Sequence, residues 1–190
     1  MEYKDEKIIA LKKQMRNLNC RNIKEEGVYI KDNYLKFEPR VIFDAVKVLL
    51  PTDFIEMPEK VKSMKYPSMN SPERIITSRD TTVNFAFNWL EKIKPEQANE
   101  LTKKLKSSII KMNPSFICYE EREEKNPQGT IIDMFDFKSY GIDEQIYNMM
   151  CIVPLEHGTF HGIFNCLDRD SNHWKEIAWQ VFFTTEVVSA

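Results

Sequence analysis

The stretch that decides the fold covers residues 115–167, SFICYEEREEKNPQGTIIDMFDFKSYGIDEQIYNMMCIVPLEHGTFHGIFNCL. Segments rich in β-branched and aromatic residues alternate in it with short turn segments at 124–129, at Gly141 and at 156–159. Such segments, bounded by turn residues, are typical of β-strands. Because short connections join antiparallel neighbours, the stretch predicts a four-stranded antiparallel meander.

Further strands are predicted on the N-terminal side of the meander. Residues 28–30, 34–37 and 41–50 are strand-like, and the third segment is predicted to be long and central. Residues 74–90 predict a hairpin, whose second strand alternates strictly between apolar and small or polar side chains. That alternation predicts one buried face and one face that meets water or a polar group.

Three helices are predicted in residues 27–190, two before the meander and one after it. A short helix begins near Pro58, and a proline-containing loop separates it from the hairpin. The segment 95–113 predicts a helix with an apolar stripe of Ala98, Leu101, Leu105, Ile109 and Met112. The closing segment 171–188 predicts a helix with a wide apolar face made of Trp174, Ile177, Ala178, Val181, Phe182, Thr185 and Val188. Amphipathic helices bury their stripes on a sheet, so an antiparallel sheet flanked by helices is expected.

The first 26 residues differ from the rest. They contain Ile8, Leu11, Met15 and Leu18 at spacings of 3, 4 and 3, which is one apolar stripe if the segment is helical. Residues 1–26 are therefore interpreted as an N-terminal extension, and residues 27–190 as a single α/β domain.

Composition excludes several classes of function. The chain has 27 basic and 29 acidic residues and a formal net charge of −2, which argues against nucleic acid as a partner. With 5 glycines and no glycine-rich phosphate-binding motif, no nucleotide cofactor is expected. No apolar segment has the length of a signal peptide core or a membrane span, so a cytoplasmic protein without membrane contact is expected. The four cysteines, at positions 20, 118, 151 and 166, are expected to be free and buried.

Local sequence adds a resemblance to a known family. Residues 49–58 (LLPTDFIEMP), 65–90 and 135–182 resemble small bacterial proteins of the PsbP-like fold family, and the likeness extends over about three quarters of the chain. That family includes PsbP, an extrinsic subunit of the photosynthetic oxygen-evolving complex, and a Ran-binding nuclear import factor. The resemblance implies a three-layer α/β/α sandwich with a central, mainly antiparallel sheet. It also implies a binding or accessory protein without a shared catalytic motif, and no Ran-binding or photosystem-binding motif can be matched here.

Two features predict a surface that binds a partner. Trp179 and Phe183, at i and i+4, lie off the core stripe of the closing helix, so a second protomer, the N-terminal segment or a protein partner is expected to cover them. Folding back of the N-terminal segment and dimerisation remain equal alternatives. The loop between Tyr66 and Arg74 is the second feature, because prolines limit its conformations. A structural crossover without a ligand explains that loop equally well.

The alternative is a small metal-dependent or thiol hydrolase. His157, His161, Cys166 and Asp168 provide ligand and nucleophile chemistry within one short segment. Convergence requires a bend, because alternate residues of a strand point to opposite faces. Cys151 is expected near Gly162, but its apolar neighbours would keep the thiol inert.

The prediction favoured by these patterns is a non-enzymatic binding or accessory module that engages a protein partner or self-associates. No catalytic residue, metal ligand or cofactor is assigned. A small-molecule cleft on the polar positions Thr82, Asn84 and Asn88 is not excluded, although nothing in the sequence supports one.

Overall fold

The structure is a computed structural model that describes residues 22–25, 27–31, 33–67, 71–141 and 143–188. Its strands are β1 (Val28–Ile30), β2 (Asn33–Leu35), β3 (Phe37–Ile42), β4 (Val46–Pro51), β5 (Ile55–Glu56), β6 (Arg74–Thr77), β7 (Asn84–Leu90), β8 (Ile117–Lys125), β9 (Ile131–Tyr140), β10 (Gln145–Pro154), β11 (Thr159–Leu167) and β12 (Glu186–Val187). Its α-helices are α1 (Glu59–Lys65), α2 (Ala98–Met112) and α3 (Ser171–Phe183). One-turn 3-10 segments, Pro95–Gln97 and Asp168–Asp170, lead into α2 and α3.

Seven strands form the main antiparallel sheet, in the order β5-β6-β7-β11-β10-β9-β8. The predicted meander is confirmed as β8 to β11, and Cys151 pairs with Gly162 across the 156–159 turn as expected. β8 is an edge strand, and its charged run from Glu120 to Glu124 discourages pairing with another sheet. The ladder between β8 and β9 shifts register between Cys118 and Glu121.

Helices and a second sheet cover the two faces of the main sheet. On one face, α1 packs over Ile75 and Ala86, and α2 packs over Phe135 and Phe137. On the other face lies α3, whose buried side chains share a core with the three-stranded sheet β12-β4-β3. The predicted α/β/α sandwich is therefore present, with a small sheet added beside α3.

The segment 41–50 does not form one long central strand, and that prediction is wrong. Phe43 and Asp44 adopt positive φ values of 56° and 52°, and the turn splits the segment into β3 and β4. The two strands pair with each other in the small sheet, where Val46, Val48 and Leu50 are buried toward α3. The central position of the main sheet belongs to β11.

The closing helix is shorter than predicted. It ends at Phe183, and Glu186 and Val187 pair with β4 as β12. Thr184 and Thr185 are buried at this junction, where β-branched side chains favour leaving the helix. Five residues of its predicted apolar face, Trp174, Ile177, Ala178, Val181 and Phe182, are buried on the helix, whereas Thr185 and the half-buried Val188 lie beyond its end.

Two smaller expectations also change. On α2, Met112 is 76% exposed, whereas Thr102 is buried beneath the helix. On β7, Asn84 and Ala86 are buried as well as Phe85 and Phe87, because α1 covers the second face of the hairpin.

The proposed helical extension at residues 1–26 lies almost entirely outside the described residues, apart from 22–25. Within the described part of the chain, no helix is both long and apolar enough to cross a membrane.

Candidate functional site

A buried carboxylate anchors the site. Asp136 lies on β9 on the face toward α3, opposite to Phe135 and Phe137, and its side chain is 2% exposed. It accepts hydrogen bonds from Lys175 Nζ at 2.7 Å, from the Tyr147 hydroxyl at 2.8 Å and from the Glu120 backbone N–H at 2.8 Å. Three donors and one positive charge compensate the loss of water around this carboxylate.

The electrostatics keep Tyr147 neutral and Lys175 protonated. Burial raises the pKa of Tyr147, and the charge of Asp136 raises it further, so Tyr147 stays a hydrogen-bond donor. Burial alone would lower the pKa of Lys175, but the hydrogen bond and charge of Asp136 outweigh burial and raise it. Through Asp136 on β9, Lys175 links α3 and Tyr147 links β10 to the same carboxylate.

A second layer of charge lies above the network on β8. Glu120 accepts two hydrogen bonds from Arg122, from Nε at 2.8 Å and from Nη2 at 2.9 Å, and it also pairs with Lys175 at 3.3 Å. The hydrogen bond from Arg122 is the largest cause that lowers the pKa of Glu120 to about 2. The register shift in β8 accompanies this arrangement, because it lets the Glu120 backbone turn toward Asp136.

Trp179 and Phe183 complete the surface. Their rings stack with centroids 4.7 Å apart, and the Arg122 guanidinium carbon lies 5.7 Å from the Trp179 ring centroid. Both aromatic residues are half-buried and contact the core on the α3 side. The indole N–H of Trp179 has no acceptor among the described residues. The ring is positioned instead by its stacking on Phe183 and its packing against the core. We call the surface formed by Glu120, Arg122, Lys175, Trp179 and Phe183 the α3–β8 surface.

The cavity beneath this surface is small. Its volume is about 20 Å³, with Asp136, Lys175 and Trp179 in its lining. That is room for about one water molecule, far below the several hundred Å³ that a small-molecule site needs. This cavity is therefore too small to hold a small-molecule ligand.

Tyr66 and Arg74 lie elsewhere and on opposite faces of the main sheet. The Tyr66 hydroxyl accepts a hydrogen bond from Asn165 Nδ2 at 3.2 Å on the α1 side. Arg74 pairs with Glu56 at 2.8 Å and donates to the carbonyl of Val41, toward the small sheet. Arg74 begins β6, near the β5 edge, whereas Trp179 lies beside β8 at the other edge.

The four residues of the hydrolase alternative do not converge. His157 is exposed in a turn, and Asp168 pairs with Lys138 at 2.9 Å. Cys166 is buried in the core beside α3, whereas His161 is buried on the opposite face, where its Nδ1 lies 3.3 Å from Asn88 Nδ2. In the described ranges, no three His, Cys, Asp or Glu residues are grouped so that they could hold a metal ion.

The protonation of these groups is equally unsuited to nucleophilic chemistry. Burial raises the pKa of the Cys151 and Cys166 thiols, as expected for Cys151 from its apolar neighbours. Burial lowers the pKa of His161 to about 4, so it is a poor general base near neutral pH.

Sequence reasoning predicted Trp179 and Phe183 as surface residues for a partner but missed the residues that surround them. The signal that could have found Asp136 is its position on the same strand face as Met134, where a carboxylate is unusual. Lys175 and Tyr147 are 39 and 11 residues away along the chain, and no pattern pairs them with Asp136. A buried carboxylate on a strand implies a partner without identifying it.

The fold is that of a PsbP-like α/β sandwich. The solution structure of cyanobacterial PsbP (CyanoP) from Synechocystis sp. PCC 6803 is similar, with a TM-score of 0.59 and 9% identity over 85% of this chain and 98% of that one. The crystal structure of LpqN from Mycobacterium tuberculosis, described as involved in cell envelope biogenesis, is similar with a TM-score of 0.55 and 15% identity over 85% of this chain and 95% of that one. The sequence matches no protein-family model and no curated protein. At these identities the likeness establishes the fold alone.

Proposed function

We propose that this protein is a non-catalytic binding or accessory module, and that its α3–β8 surface engages a protein partner. The observation that carries the proposal is the half-buried stack of Trp179 and Phe183 beneath Arg122. Tryptophan and arginine are enriched among the residues that dominate binding energy at protein interfaces. A stacked pair of this kind is a suitable centre for such an interface.

The setting of the stack supports binding rather than mere packing. Arg122 is fixed by its paired hydrogen bonds to Glu120, and Glu120 is held by Lys175 and the Asp136 network. Side chains that are already ordered lose little conformational entropy when a partner binds. The α3–β8 surface offers exposed charges of both signs together with apolar area, and this combination suits a protein partner.

The proposal retains the other features expected from the sequence: a cytoplasmic module without a cofactor, a nucleic-acid partner or a membrane contact. The partner can be a different protein or a second copy of the chain. Tyr66 and Arg74 stay secondary candidates, because they lie apart from the stack and on opposite faces of the main sheet.

The test compares partner recovery by variants of the full chain. The tagged protein, Trp179→Ala and Phe183→Ser would be used for affinity capture from native lysate, with quantitative mass spectrometry of what is retained. Ile110→Ala is the control, since Ile110 is 37% exposed and lies on α2 on the other side of the sheet.

The expected result is one partner at near-stoichiometric amount that falls at least tenfold for both surface variants and is unchanged for the control. Circular dichroism would verify that each variant is folded. Light scattering would show a mass of twice 22.5 kDa if the partner is a second copy. Equal recovery by all four proteins, or recovery of no partner by any, would overturn the proposal.

A further inference from the structure

We propose that the α3–β8 surface accepts an amphipathic helix, and that residues 1–21 of this same chain are its resident occupant. This inference rests on the proposed function. It assigns the kind of partner that the surface accepts and the segment that regulates access to the surface. An external partner would have to displace the N-terminal segment.

The described chain begins beside the surface. Ile23 is 3% exposed, and its backbone N–H donates to Gln180 Oε1 on α3 at 3.3 Å. Gln180 directly follows Trp179 and precedes Phe183 by three residues, within one turn of the helix. The described chain therefore begins next to the aromatic stack.

The exposed side of α3 is bounded on both flanks. The segment that contains β1 runs along one flank, from Ile23 at Gln180 to Lys31, which pairs with Asp170 at 2.6 Å. β8 runs along the other flank through Glu120 and Arg122. Between the flanks lie Trp179, Phe183 and the exposed Glu176, which form a strip along the helix axis.

The N-terminal segment matches that strip in length and pattern. As a helix, Ile8 to Leu18 would extend an apolar stripe over about 15 Å, and α3 with its 13 residues is about 20 Å long. From Leu18 to Asn22 the chain makes four Cα–Cα steps, which span about 13 Å when extended. This connection is long enough for the segment to turn back onto α3 of its own chain.

Charge also favours this occupant. Residues 1–21 contain six basic and three acidic side chains, an excess of three positive charges. On the face of β8 toward α3, Glu120, Arg122 and Glu124 leave an excess of one negative charge, whereas Glu121 pairs with Lys106 of α2 on the opposite face. On α3, Lys175 and Glu176 offset each other, so the surface as a whole attracts the segment.

The experiment measures access to the strip in the full chain. Cysteine introduced by Glu176→Cys would be labelled with a maleimide, and the rate at residue 176 read by mass spectrometry of its peptide. In a second protein, Leu11→Asp and Met15→Asp are added to disrupt the apolar stripe. The matched control instead adds Ala10→Asp and Asn17→Asp, which introduce the same charge on the opposite side of the predicted helix.

We expect labelling at residue 176 to be at least tenfold faster in the stripe variant than in the parent, and the control to resemble the parent. Protection in the parent should not depend on protein concentration, because the segment binds its own chain. Equal rates in the stripe variant and the control would overturn the inference. Protection that rises with concentration would also overturn it, since the occupant would then be a second copy.

Partner capture separates this inference from the proposed function. If residues 1–21 compete with the partner, the double variant Leu11→Asp with Met15→Asp, in the otherwise unaltered chain, should recover several-fold more partner. The charge control should recover the same amount as the unaltered chain. Capture that is lost in Trp179→Ala but unaffected by the stripe variant would overturn the competition and leave the proposed function intact. Protection of residue 176 without any Trp179-dependent capture would instead overturn the proposed function.

Discussion

Asp136 on β9 and Lys175 on α3 form an ion pair with Oδ2 and Nζ 2.7 Å apart, and the carboxylate is almost fully buried. This contact ties the helix that presents Trp179 to the sheet that presents Arg122. The shape of the α3–β8 surface therefore depends on one charged pair beneath it.

Replacing the cation should destabilise the protein. We expect Lys175→Met to lower the free energy of unfolding by about 2 kcal/mol, because the buried carboxylate loses its countercharge. The expected loss is moderate because Lys175 is partly exposed to solvent in the native protein. Urea unfolding followed by circular dichroism measures the change. The control is Lys104→Met, whose pair with Glu100 is exposed on both sides, and no measurable change is expected there. Equal effects of the two substitutions would contradict a structural role for the buried pair.

His161 should make stability depend on pH. Burial holds its pKa at about 4 in the folded protein, below the unfolded value of about 6.5. The unfolded chain therefore binds more protons between these values, and stability falls as the pH falls through this window. At pH 5, the loss due to this histidine should be about 2 kcal/mol relative to pH 7.5.

Urea unfolding of the native protein and of His161→Gln at both pH values isolates this contribution. Burial raises the pKa of Asp133, which acts in the opposite direction, but that effect is common to both proteins and cancels. A native protein that loses no more stability than His161→Gln between pH 7.5 and 5 would show that the imidazole is not buried in its neutral form.

Gly162 should not tolerate a side chain. A Cβ at this position would lie 2.5 Å from Phe182 Cε1 and 2.6 Å from Cys151 Sγ, where α3 packs on the centre of the sheet. Gly162→Ala is expected to cost about 2 kcal/mol of stability through overpacking, seen as a lower melting temperature. Adding Cys151→Ala should recover part of that loss, because it removes one of the two clashes. Strictly additive effects of the two substitutions would argue against this packing.

The buried thiols should be unreactive in the native state. Burial raises the pKa of Cys151 and Cys166. Thiolate formation is therefore suppressed, and alkylation by iodoacetamide at pH 8 should be slow until the protein is unfolded. Peptide mass spectrometry with and without urea measures this difference for each cysteine. Rapid labelling of Cys151 in the folded protein would contradict the observed burial.

Local sequence was sufficient for elements that are stabilised by their neighbours in the chain. The meander follows from turn residues between strand-like segments, and the core residues of α3 follow from a helical period. The same reasoning was wrong for residues 41–50, where an apolar run concealed a turn at Phe43 and Asp44 with positive φ. Asp44 is a residue type that tolerates the left-handed region, but Phe43 is not, and the turn is stabilised by pairing of β3 with β4.

By itself, the sequence determined the class of fold, the amphipathic helices and the surplus of aromatic residues on the last helix. Those features depend on periodicity and turn chemistry, which are properties of short segments. Only the tertiary structure decided that His161 and Cys166 point to opposite faces, and that Asp136, Lys175 and Arg122 meet below and beside Trp179. Contacts between distant segments depend on strand register and helix placement, since a shift of one residue moves every side chain of a strand to the other face.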